Sequence, residues 1–129
     1  MKFTGTCHCK TVSFTFKTEL EELLMCNCSL CQKRNSLMAT VAREQFHITE
    51  GQEALRLYRW NSGVAQHYFC STRGIYVYHQ RRSNPALLSV NAMCINDFDT
   101  EALPIRHVDG QSRTVVSPPA EAPDGISHC

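Results

Sequence analysis

The chain has 129 residues, 43% of them hydrophobic and 19% charged, with a formal net charge of +1 at pH 7. That length holds one domain with a real core, and that composition sets aside a disordered or collagen-like chain. The near-neutral balance argues against nucleic acid as a partner, and the apolar runs are too short to cross a membrane as helices.

Residues Met1 to Cys7 carry one positive charge with no apolar stretch behind it, so no signal peptide is expected and the cytoplasm is the expected compartment. Val12, Phe14 and Phe16 alternate with Ser13, Thr15 and Lys17, the pattern of a half-buried strand. Glu19 to Glu22 is an acidic break, after which Leu23-Leu24-Met25 leads into a group of cysteines. Leu37 to Ala42 reads as a strand. Ala54 to Trp60 and Val64 to Phe69 read as two more, joined by Asn61-Ser62-Gly63 in a hairpin. Ile75 to Gln80 follows a turn at Ser71-Thr72-Arg73-Gly74, and Leu87 to Asn91 is a further strand. Short helical turns are expected at Ser29 to Arg34, Arg43 to His47 and Asp97 to Ala102. Many short strands with turn residues between them predict a mainly β domain over residues 1–116, sandwich- or barrel-like. The proline-rich residues 117–129 read as a loose tail.

Eight cysteines in a chain of this size call for either disulfides or metal ligation. A reducing compartment and the spacing favour metal. Cys7 and Cys9, like Cys26 and Cys28, are separated by a single residue, and such neighbours bridge each other only with strain. Cys26-x-Cys28-x-x-Cys31 is the sharpest pattern: three thiolates in six residues can converge on one ion, and soft sulfur ligands favour zinc. Three protein ligands leave a fourth position open, as in a catalytic site. The bland alternatives are a closed structural zinc with a distant fourth ligand, or bare thiols. Lys33 and Arg34 add positive charge that helps keep the sulfurs deprotonated. Cys7-x-Cys9 needs partners from elsewhere. Cys70 is the natural third, but Arg73 stands where a Cys-x-x-Cys knuckle would place the fourth.

Gly5-Thr6-Cys7-His8-Cys9, Cys26-Asn27-Cys28-Ser29-Leu30-Cys31, Phe69-Cys70 with Gly74, and His107-Val108-Asp109-Gly110 together resemble the glutathione-dependent formaldehyde-activating enzyme family, which shares its domain with centromere protein V. The resemblance runs over about residues 3–113. It implies an Mss4-like zinc-binding β fold of short antiparallel strands. It also implies a structural zinc on Cys7, Cys9 and Cys70, and a catalytic zinc on Cys26, Cys28 and Cys31. The implied activity is that of a carbon–sulfur lyase, with glutathione as co-substrate and a small thiol and a small aldehyde as the partners it handles.

Arginine stays protonated and cannot ligate zinc, so Arg73 leaves the first site one sulfur short. Three outcomes are open there: water or His8 as fourth ligand, a contribution from Cys94 or Cys129, or loss of the metal. Loss or weak occupancy is the expectation. His67 and His79 lie within strand-like runs and read as ordinary hydrogen-bonded or exposed histidines. His8 is expected to point away from the ligands on either side of it. Arg81 and Arg82 form a small basic pair, Cys94 reads as a buried apolar residue, and Tyr58, Trp60, Tyr68, Tyr76 and Tyr78 as sheet packing. The rival function is a non-catalytic zinc module that binds a thiol, a peptide or a protein; a homodimer is the candidate assembly.

Overall fold

The structure is a computed structural model and describes residues 1–34, 37–59, 65–81 and 84–109. In chain order the strands are β1 (Lys2–Thr6), β2 (Ser13–Lys17), β3 (Leu23–Cys26), β4 (Met38–Ala42), β5 (Phe46–Glu50), β6 (Leu55–Tyr58), β7 (Gln66–Cys70), β8 (Tyr76–Gln80), β9 (Leu87–Asn91) and β10 (Ile105–Val108); one helix, α1 (Ser29–Arg34), lies between β3 and β4. The mainly β expectation holds. The hairpin loop 61–63 with Trp60, the pair member Arg82, and the tail 117–129 lie outside the described residues.

Two sheets form. The smaller has the order β1-β2-β5, and the larger β10-β3-β4-β9-β8-β7-β6. All pairings are antiparallel except one: β10 returns from the end of the described chain to lie parallel to β3. The predicted hairpin is present as the β6–β7 pair, with Leu55 opposite Cys70 and Tyr58 opposite His67.

Alternation in β2 sends Phe14 and Phe16 inward, and their rings anchor the contact between sheets. Phe3 stacks on Phe16 at 5.0 Å, Phe14 lies 5.4 Å from Phe46, and Phe46 lies 4.7 Å from Tyr78 of the larger sheet. Such aromatic pairs add to the gain from area burial alone. Buried residues fall into two clusters. The main one runs between the sheets and includes Cys7 and Cys70. The smaller gathers Leu24, Met38 and Val108 around Cys26, Cys28 and Cys31.

Four strands carried no alternation to read. β3 buries Leu23 and Leu24 in succession, so both faces are covered and the pattern is continuous rather than alternating. β5 and β10 each bury only one residue, Phe46 and Val108. β1 buries Gly5, which has no side chain to mark the face. The helical turn expected around Arg43 to His47 is present as the 3-10 turn Arg43–Gln45, after which Phe46 and His47 belong to β5. A second helical expectation needs correction. The segment from Asp97 to Ala102 consists of turns: Asp97 has φ +52°, a left-handed conformation that no right-handed helix continues through, and Asp99 Oδ1 accepts from the Glu101 N–H at 2.9 Å in an Asx turn. No helix among the described residues is long and apolar enough to cross a membrane.

Gly5 is bridged to Ile95, just past the 3-10 turn that follows β9. A Cβ there would overlap the Phe14 ring and the Cys94 carbonyl oxygen. Gly5→Ala is therefore expected to cost about 2 kcal/mol by overpacking. A chemical-denaturation midpoint equal to that of the wild type would contradict this close approach.

Candidate functional site

β3 ends on Cys26, and the chain turns directly into α1. Cys28 stands at the cap position of that helix: its carbonyl accepts from Gln32 N at 2.9 Å, and its sulfur accepts from Cys31 N at 3.4 Å. A cysteine sulfur here does what a serine or aspartate oxygen does at an ordinary helix start. The Cys26 sulfur accepts from Cys28 N at 3.4 Å, and the Cys31 sulfur accepts from Arg34 Nη2 at 3.4 Å. Each of the three sulfurs thus faces an N–H, as suits a thiolate. All three cysteines are buried, and their sulfurs lie within 4.8 Å of one another. Among the described residues the cluster has three members.

Cys26 and Cys31 also line a cleft of about 340 Å³, together with Asn27, Gln32, His107 and Asp109. The parallel β10 strand supplies its far wall, with His107 opposite Met25 and Val108 opposite Cys26. Asn27 ties the two sides together, its N–H donating to Val108 O at 3.1 Å and its Nδ2 to Asp109 Oδ1 at 3.1 Å. Asn27, Gln32 and Asp109 were not singled out from the residues alone. Asn27 and Asp109 had one signal each, the Cys26-Asn27-Cys28 and His107-Val108-Asp109 stretches carried by the family resemblance, and Gln32 had none.

The other triad, Cys7, Cys9 and Cys70, also lies within 4.8 Å. Cys7 and Cys9 flank a tight turn closed by Lys10 N donating to Cys7 O at 3.1 Å, with Lys10 at φ +66°. The Cys9 sulfur is 3.5 Å from that of Cys7 and 3.6 Å from that of Cys70. Val12 N donates to the Cys7 sulfur at 3.3 Å. The hydroxyl and N–H of Thr11 hold the Cys9 thiol down at about 6, whereas burial raises that of Cys7.

All the described cysteines are free of disulfides. Sulfurs at about 2.3 Å from a tetrahedral ion stand about 3.8 Å apart, close to the spacings of the first triad. The donor chemistry of both triads, three sulfurs brought close together, suits a soft divalent metal such as zinc.

After Cys70 the chain makes a knuckle-like turn, with Gly74 N donating to Cys70 O at 2.6 Å, and Arg73 is exposed on it. His8 lies in a turn rather than in an extended segment, and is exposed. Neither His8 nor Cys94 joins the first triad. Cys94 packs in the core with its sulfur 3.8 Å from Tyr76 O; burial, then the charge of Cys7, pushes its thiol up to about 11. Cys129 lies outside the described residues. His67 and His79 are both buried, with ring centroids 4.6 Å apart. Tyr68 and Tyr78 stack at 4.8 Å as sheet packing, Tyr76 is buried, and Tyr58 is largely exposed.

The family model described as glutathione-dependent formaldehyde-activating enzyme matches residues 2–109. A crystal structure of a Rhodobacter sphaeroides protein, a structural-genomics target, superposes with a TM-score of 0.72 at 34% identity. The match covers 80% of this chain and 99% of that one.

The turn at Arg73 supplies a direct test of the first triad. Arg73→Cys restores the Cys-x-x-Cys knuckle and is expected to raise zinc retention there by at least about tenfold against a competing chelator. Zinc per chain measured by atomic emission after graded chelator challenge reads the change. An unaltered retention curve would mean that position 73 cannot reach the three sulfurs.

Proposed function

The chain belongs to the glutathione-dependent formaldehyde-activating enzyme family, and on that premise we propose that it is a zinc-dependent carbon–sulfur lyase working at Cys26, Cys28 and Cys31. It joins a small thiol, glutathione in the first instance, to a small aldehyde, formaldehyde in the first instance, and runs the reverse reaction. The observation that carries this reading is the convergence of three buried sulfurs, two of which, Cys26 and Cys31, line an open cleft.

The reaction is an addition. A carbon–sulfur bond forms, the carbonyl π bond breaks, and the thiol proton ends on the new hydroxyl. A bound zinc ion would supply a centre that holds a thiol as its thiolate or polarises a small carbonyl. The protein's own part is to present the cleft and handle the proton. His107 and Asp109 are titratable groups on its wall. Asp109 is hydrogen-bonded to Asn27, so His107 is the group we assign to take the thiol proton and return it to the adduct oxygen. Cys7, Cys9 and Cys70 are proposed as a structural site that ties the β1–β2 turn to the end of β7. We further propose one domain over residues 1–116, and the cytoplasm as the compartment that keeps these thiols reduced.

The test is exchange NMR of glutathione and formaldehyde with S-hydroxymethylglutathione, with and without protein. Zinc-loaded wild type is expected to speed the exchange well above the buffer rate, and Cys28→Ser to lose both that acceleration and its metal. If zinc-loaded wild type never exceeds the buffer rate with any small thiol and aldehyde tried, the lyase assignment fails. A non-catalytic module that binds a thiol, peptide or protein then takes its place.

A further inference from the structure

Lys33 and Arg34 both follow the ligand loop, but the structure separates them. Lys33 is exposed at the helix surface. Arg34 lies three residues from Cys31, on the same helical face, and its Nη2 donates to the Cys31 sulfur at 3.4 Å. Its Nη1 is 2.9 Å from His67 Nδ1 on β7. Since guanidinium only donates, His67 Nδ1 must accept, which makes His67 the neutral partner. The Arg34 Cζ sits 3.8 Å from the centre of the Tyr76 ring on β8, a cation–π contact. Tyr76 is itself fixed: its hydroxyl donates to Ser89 O at 3.1 Å and lies 2.7 Å from His79 Nδ1. His79 in turn packs against His67. The guanidinium is therefore held in a bracket built by two strands, and aimed at one sulfur.

We propose that Arg34, gripped by His67 and Tyr76, is the positioning and charge-compensating residue of the Cys26, Cys28 and Cys31 centre. Three thiolates around a divalent ion leave one net negative charge in a buried corner, which is costly unless a cation answers it. Arg34 brings the centre to neutrality. By drawing electron density from the Cys31 sulfur, it also keeps a bound metal from being quenched by its own ligands. Lysine could supply the charge but not the two-pronged fork that spans Cys31 and His67.

This proposal rests on the reading of the triad as a metal centre, and its test separates the two. Cobalt(II) is loaded into wild type, Arg34→Met and Arg34→Lys, and the sulfur-to-metal charge-transfer absorption and metal affinity are measured. The first triad contributes equally to all three proteins, so difference spectra isolate the second. Arg34→Met is expected to shift the charge-transfer band to lower energy, because a sulfur without its donor gives up electrons more readily. Affinity in chelator competition should drop by about tenfold or more, with Arg34→Lys lying between. Cobalt at the triad in wild type, with band and affinity unmoved in both variants, would overturn the role of Arg34 alone. Absence of cobalt from the triad in wild type would overturn both this proposal and the metal-centre reading. Should Arg34→Met fail to fold, Arg34→Lys carries the same decision through its band position.

Discussion

Sulfur packed against sulfur in a dry corner is stable only if something answers its charge. At the junction of β3 and α1 the answer comes from the chain itself. The N–H groups of Cys28 and Cys31 donate to the preceding ligand sulfurs, and the Arg34 side chain donates to the last. The ligand loop and the helix start are thus the same structure. A six-residue helix has little intrinsic stability. Here its first turn is organised by sulfurs acting as caps, and its last turn is pinned to β7 and β8 through one guanidinium. The helix exists because it completes the centre.

The rest of the architecture serves to bring distant pieces of chain to that corner. β10 lies parallel to β3, which places the wall carrying His107 and Asp109 beside the cysteines. Antiparallel closure by a tight turn could not bring a segment from so far along the sequence into this register. β7 and β8 reach the site from the other side of α1, bearing His67 and Tyr76. The smaller sheet contributes nothing to this cleft. Its tasks are to fill the main core with phenylalanine rings and to carry the turn of Cys7 and Cys9 to the end of β7.

Much of this was legible in the residues, and the parts that were not have a common cause. The alternating β2 and the hairpin of β6 and β7 were readable because side-chain periodicity records which face is buried. The cysteine spacing was readable because three sulfurs within six residues of one loop have little freedom to point apart, and they converge. β3 was hidden by burial on both faces, and β1, β5 and β10 by exposure or by glycine. His67 and His79 read as ordinary strand histidines, yet both are buried and pack against each other. Their link to the site runs through Arg34, a contact across 33 positions that no local pattern encodes. Lys33 and Arg34 looked alike as neighbouring charges; only the helical turn distinguishes the one that meets the sulfur.

Two arginines mark the difference between the triads. Arg34 donates to the Cys31 sulfur of the second triad, so its charge faces that group. Arg73 is exposed on the turn that follows Cys70 of the first triad. A tetrahedral site with four sulfurs is saturated and stores its energy in the fold; one with three is weaker and exchanges its remaining ligand. Cys7 and Cys70 of the first triad sit in the main core, whose aromatic rings hold the sheets together. The second triad has only a small satellite cluster around it, so the hydrogen bonds to its sulfurs are a larger share of what holds that corner. Arg73 thus falls beside a core held by aromatic packing, and Arg34 in a corner held by hydrogen bonds to sulfur.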